Sequence, residues 1–176
     1  MAVLKDVKDK EEYSYKLSLA REIVFKLDSE TDRSNLLEYI VENVAKLFKA
    51  DGSAIYFYDP EKKELTLAEL YNLRANLKGV KVRADQGLLG QVIKNRQAMK
   101  VDDYEVWQEK SKIFEEDQYR SLLEAPMIWK NNLLGIIGLV RTKNGQPFSE
   151  FDLNLHSLIA VHIGAIISDR QIVKKF

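Results

Sequence analysis

Cysteine is absent from this 176-residue chain. Disulfides, thiolate metal sites, cysteine nucleophiles and thioether attachment of a cofactor are therefore excluded together. A charge surplus is missing too, because 27 basic residues balance 27 acidic ones. General nucleic-acid binders normally carry a basic excess, so direct nucleic-acid binding is not expected. Histidine occurs only at His156 and His162. On a helix those positions point ~120° apart, at about 100° per residue. They cannot share one metal as the HExxH spacing does. No run of 18 apolar residues occurs and the N-terminus is charged, so neither a membrane span nor a signal peptide is expected. G-x-S-x-G, P-loop and EF-hand patterns are missing, and no pair of carboxylates is singled out by spacing. An enzyme is not expected.

What the chain does have is a clear change of period. Residues 1–9 read as frayed, and a helix is expected from near Glu11, with Leu19, Ala20, Ile23, Val24 and Leu27 at helical spacing. Residues 27–32 form a polar break, with Thr31 and Asp32 as candidate N-caps. Leu36, Leu37, Ile40, Val41, Val44, Leu47 and Phe48 make one apolar stripe of a second helix, which Gly52 is expected to close. The period then falls to two: Ile55 and Phe57 face one way, Tyr56 and Tyr58 the other. Asp59-Pro60-Glu61-Lys62 is a turn, and a return strand runs from Leu65 to Leu70. Short strands are expected at Val80–Arg83 and Met99–Val101, flanking a short helix at Leu88–Asn95. Residues 104–120 read as an irregular, charged excursion. Leu122–Trp129 and Leu133–Thr142 flank Lys130-Asn131-Asn132, a strong hairpin signal, and Lys143-Asn144-Gly145-Gln146 is a further turn. Ser149 caps the last helix, with Asp152 at the capping-box position and Phe148 and Leu153 at staple spacing. The expected fold is α+β: a central antiparallel sheet of about six strands, with N- and C-terminal helices on one face. A short helix and loops take the other face.

Three patches then carry a family resemblance. They are Gln86-Gly87-Leu88-Leu89-Gly90-Gln91-Val92 with Val101-Asp102, then Ala125-Pro126-Met127-Ile128 through Leu134-Gly135-Ile136-Ile137-Gly138-Leu139, then Phe148-Ser149-Glu150-Phe151-Asp152-Leu153. In this order, over about residues 33–170, the sequence resembles the GAF family of small-molecule sensor domains. Asp85 stands where the family's glycine-rich turn often begins with a further glycine. The resemblance implies a regulatory domain of a bacterial signalling protein or of an AAA+ transcription activator. It divides the chain into residues 1–32, a tail with a dimerisation or signalling helix, and 33–176, the sensor domain with its long last helix. Covalent bilin attachment and cysteine-dependent methionine sulfoxide reduction, both found in the family, lack the cysteine they need.

The candidate ligand-binding residues are Arg83, Gly87, Leu88, Gly90, Asp102, Trp107, Phe114 and Tyr119. Gly87 and Gly90 open a helix whose amides can hold an anion. Residues 72–99 carry six basic side chains against Asp85 alone, so Arg83 is the candidate partner of a carboxylate or phosphate. In the competing reading, Asp85 caps those amides and the cations are solvated. Residues 100–124 carry eight acidic against four basic residues, and the two stretches are expected to attract each other. That would close the excursion over the sheet, with Trp107, Phe114 and Tyr119 either lining a pocket or filling a second core.

Nine of the thirteen residues from Leu155 to Ile167 are apolar around most of the helix, which therefore wants burial on nearly all sides. A homodimer through residues 11–27 and 155–173 meets that need, as does packing of the same helices within one chain. The last helix ends near Lys174-Lys175-Phe176 with no output domain after it, so an output domain in cis is expected to lie outside these residues. The function expected is a cytoplasmic sensory domain that binds a small-molecule effector and signals through its terminal helices. The alternative is a ligandless dimerisation module. No cofactor is indicated.

Overall fold

The fold is given by a computed structural model that describes residues 2–29, 33–111, 114, 118–142 and 145–172. Helix α1 spans Ala2–Ser29 and α2 Arg33–Leu47. Strands β1 (Gly52–Asp59) and β2 (Glu64–Tyr71) form a hairpin, followed by β3 (Lys81–Arg83), α3 (Gly87–Asn95) and β4 (Met99–Val101). Strands β5 (Tyr119–Trp129) and β6 (Asn132–Thr142) form the second hairpin, and α4 spans Glu150–Asp169. The six strands make one antiparallel sheet in the order β3-β2-β1-β6-β5-β4. The sequence expectation of a six-stranded sheet between terminal helices and a short helix is met.

Alternation within the strands divides the core in two. Ile55 and Phe57 of β1, Leu123, Ala125 and Met127 of β5, and Ile137 and Leu139 of β6 face α1, α2 and α4. Leu36, Ile40, Val41, Val44 and Phe48 are each wholly buried against that face. Each such side chain contributes about 1.5–3 kcal/mol by leaving water. On the opposite face, Ala54, Tyr56 and Ile136 meet Leu89 and Val92 of α3, while Leu122 and Val140 meet Leu88 and Tyr104.

Three local expectations change. Residues 2–9 belong to α1, which runs on through Ser29 without the polar break expected from residue 27. Twelve of its side chains in 10–26 are exposed, and α1 meets the rest of the fold along a narrow seam that includes Lys16, Leu19, Ala20 and Ile23. Gly52 does not end α2: Lys49 takes the left-handed conformation there (φ 50°), and Gly52 begins β1. A Cβ on Gly52 would meet the Leu73 side chain at 2.5 Å, so close packing selects the glycine. Thr31, Asp32, Ile113, Lys143, Asn144 and Lys174-Lys175-Phe176 lie outside the described residues.

The start of α4 follows the sequence closely. Ser149 Oγ accepts from the Asp152 amide at 3.1 Å, and the Asp152 carboxylate accepts from the Ser149 amide at 2.9 Å. By length and composition α4 is apolar enough to cross a membrane. Its burial accounts for that apolarity: Leu155, Ile159, Ala160, Ile163, Ile166 and Ile167 are all enclosed by the helical core.

Candidate functional site

The second face of the sheet carries a partly open cavity of about 30 Å³. That is room for about two water molecules. Register explains the hollow. Ala54 of β1 pairs with Gly138 of β6, and Gly138 pairs with Glu124 of β5. Two side chains of minimal size thus sit side by side in the floor, and the cavity opens above them. Leu122 and Val140 form the next row. Leu73, Gly87, Leu88, Leu89, Tyr104 and Phe114 close the sides.

Polar groups are few here, and two lack partners. Glu124 Oε2 and Ser111 Oγ are buried without a hydrogen bond among the described residues. The Ser111 amide donates to the Tyr104 hydroxyl at 3.1 Å, which fixes the excursion over the sheet. Glu124 is 6% exposed, and burial pushes its carboxyl up to about 8. Desolvation is the cause, because it disfavours the charged form. The carboxyl is therefore mostly protonated at neutral pH. Gly138 is what lets it fit: a Cβ there would lie 2.7 Å from the Glu124 carboxyl carbon.

Helix α3 enters the wall through Gly87, whose φ of 62° is one that side-chain-bearing residues seldom adopt. Its N-cap is Gln86, with no side-chain hydrogen bond to the first-turn amides. Asp85 does not cap them, because its carboxylate accepts from Arg83 Nε at 3.0 Å and Nη2 at 2.6 Å.

A model of the GAF domain family matches residues 30–168. The chain belongs to the GAF domain family. Among solved structures, the GAF domain of an Acinetobacter phosphoenolpyruvate-protein phosphotransferase superposes with a TM-score of 0.80 at 20% identity, over 92% of this chain and 98% of that one. The corresponding domain from Coxiella burnetii gives 0.79 at 20% identity, over 93% and 99%. Free methionine-R-sulfoxide reductase from Neisseria meningitidis, solved with its substrate, gives 0.76 at 17% identity, over 91% and 93%. At these identities the likeness is one of fold.

Within this GAF domain the sequence-selected residues fall into two groups. Gly87, Leu88, Phe114 and Tyr119 line the cavity, with the Phe114 and Tyr119 ring centres 6.2 Å apart. Gly90, Trp107, Asp102 and Arg83 do not line it. Gly90 lets α3 pass over the Asp85 backbone, where a Cβ would meet the carbonyl carbon at 2.6 Å. Trp107 packs behind the wall against Tyr104, ring centres 5.7 Å apart. Asp102 is exposed and pairs with Lys100 at 2.7 Å. Arg83 lies on β3 beside Lys62, Lys63 and Glu64, in a separate surface depression. The expected attraction between the basic and acidic stretches does not engage Lys78, Lys81, Arg83 or Arg96. These bind Glu69, Glu64, Asp85 and the Asn131 carbonyl.

Sequence reasoning passed over Glu124. Its signal was available: a glutamate in phase with Leu122 within an apolar strand, and near Gly138 when pairs are counted outward from the Lys130-Asn131 turn.

His156 is wholly buried under α4 and bonds the Ile137 carbonyl through Nε2 at 3.0 Å, while burial pulls its pKa down to about 4. It is a core residue on the helical face. Among the described residues no group of three His, Asp or Glu side chains could hold a metal.

Proposed function

We propose that this GAF domain is a cytoplasmic sensory module whose small-molecule effector occupies the cavity between the sheet and α3. The observation that carries this reading is the pair of unpartnered buried polar groups, Glu124 Oε2 and Ser111 Oγ, in an otherwise apolar hollow. Buried polar groups are nearly always hydrogen-bonded, and a ligand would supply the missing partners. Of the sequence-selected residues, Gly87, Leu88, Phe114 and Tyr119 line that cavity and would contact such a ligand. The proposed division puts a signalling helix in residues 1–32 and the sensor in 33–176.

The signal would leave through α1 and α4, which pack against each other. Both retain exposed apolar residues, Tyr15, Leu17 and Phe25 on α1, and Leu158 and Val161 on α4. These are the surfaces proposed to join two copies of the chain as a homodimer that presents an output domain. A ligand shifts such an assembly only through different affinity for its two states.

A second reading has its own observation. The cavity is small, about 30 Å³, and Tyr104, Phe114 and Tyr119 crowd its lining, as a ligandless dimerisation module would have it. A thermal-shift panel of cyclic mono- and dinucleotides, 2-oxoglutarate, small carboxylates, amino acids and haem separates the two. A ligand at 100 times its dissociation constant adds about 2.7 kcal/mol. At roughly 2–4 °C per kcal/mol, the midpoint rises by several degrees. A flat panel on a dimeric protein favours the ligandless module.

A further inference from the structure

The floor of the cavity places one carboxyl, from Glu124, beside the missing side chain of Gly138. We propose that the Glu124 carboxyl is the recognition group of this cavity, and that it takes an uncharged ligand presenting an N–H and a C=O side by side, as an amide, lactam or urea does. This rests on the reading that the cavity holds a small molecule.

No Lys, Arg, His or second carboxylate lines the cavity among the described residues. The titratable groups facing it are Tyr56 from β1, Tyr104 from the excursion and Tyr119 from β5, while β6 and α3 present none. On β4, Met99 is the cross-strand partner of Glu124, and Lys100 turns away to Asp102 and Glu150. A carboxyl so enclosed, with no cation beside it among the described residues, is mostly protonated at neutral pH. It then offers one O–H donor and one carbonyl acceptor. The complement of that pair is a donor and an acceptor on one edge, which is the edge of a cis-amide. Each partner would satisfy the other with two hydrogen bonds.

A cationic ligand fits worse. It would have to ionise Glu124 where burial opposes the charge, and the ion pair would then sit among Leu73, Leu88, Leu122 and Val140. The cavity is small and partly open, so only the polar edge of a ligand would sit beside Glu124, with the rest of the molecule reaching toward solvent.

The test uses two rings of one size, 2-pyrrolidone and the pyrrolidinium cation. Each is titrated into the full chain and followed by the amide resonances of residues lining the cavity. The expected result is that 2-pyrrolidone binds the wild type and Glu124→Gln alike, since a carboxamide also carries a donor and an acceptor. Glu124→Leu should bind it about tenfold more weakly. Wild-type affinity should fall about tenfold between pH 7 and pH 9 as Glu124 loses its proton, while Glu124→Gln stays flat. Unchanged binding by Glu124→Leu overturns the role of Glu124 and leaves the cavity reading standing. Preference for pyrrolidinium, lost in Glu124→Gln, overturns the ligand class. If neither probe moves a cavity resonance, both the inference and the reading beneath it fall.

Discussion

The Lys16 ammonium lies 2.9 Å from the Asp152 carboxylate, and both side chains are almost fully buried. One charge comes from the middle of α1, the other from the capping box of α4. The same carboxylate accepts from the Ser149 amide. Beside it, the Arg141 guanidinium bonds the carbonyls of Gln146, Pro147 and Phe48 and lies 4.1 Å above the Phe148 ring. The first helix is thus tied to the element that begins where the sheet ends.

Asp152→Ala should therefore be severe. It leaves the buried Lys16 ammonium with only the half-exposed Glu12 carboxylate, 3.3 Å away, and removes a cap, at a cost of about 3 kcal/mol. Lys16→Met should cost less, because the Ser149 amide still holds Asp152 and the methionine stem packs where the lysine stem did. Urea denaturation with both variants checks the order. Equal losses, or a larger loss in Lys16→Met, would contradict it.

Two buried groups on opposite faces of the sheet set opposing pH trends. Glu124 is raised to about 8, so its contribution is complete below the unfolded value and falls away as pH rises toward 8. His156 is lowered to about 4, so its contribution is complete above its ordinary value of 6.5 and falls away as pH drops toward 4. Stability should consequently decline from pH 6.5 to pH 8 in the wild type but not in Glu124→Gln. Near pH 7 the variant should be the more stable by on the order of 3 kcal/mol. Parallel slopes in the two proteins would remove Glu124 as the source.

Gly138→Ala should disturb the cavity more than the sheet. The new methyl group meets the Glu124 carboxyl, the far end of a flexible side chain, which swings aside. Gly90→Ala meets backbone at Asp85 instead and should cost more, about 1–3 kcal/mol by overpacking. Melting midpoints rank the two, and a larger loss in Gly138→Ala would count against the packing described.

The proposed dimer surface is tested by charge. Phe25→Glu on α1 or Leu158→Glu on α4, both highly exposed, should leave the fold intact and give monomers by sedimentation at micromolar concentration. A wild type that already sediments as a monomer there rules the surface out.

Much of this fold was legible because its elements have clean periods. The stripe from Leu36 to Phe48, the alternation of Ile55 and Phe57 with Tyr56, and the Ser149–Asp152 cap each report a local interaction, and each appears where the sequence puts it. The start of α1 was not legible. Its sequence is polar, and it is helical beyond the stripe that Leu19, Ala20 and Ile23 mark out. The cavity was half legible. Gly87 and Leu88 belong to a local turn-and-helix signal, whereas Glu124 becomes part of a site only through its pairing with Gly138. Arg83 drew attention by its charge, yet its charge is taken up by Asp85 two residues on. Such partners are set by side-chain direction on an edge strand, which composition does not report.

The central claim is that the cavity over Ala54, Gly138 and Glu124 is where this GAF domain meets its effector. The most direct measurement runs the thermal-shift panel on the wild type and on Ala54→Leu, whose larger side chain fills the hollow. The expected result is a compound that raises the wild-type midpoint by several degrees and leaves the variant unmoved. A compound that stabilises both proteins alike would place the ligand elsewhere and contradict it.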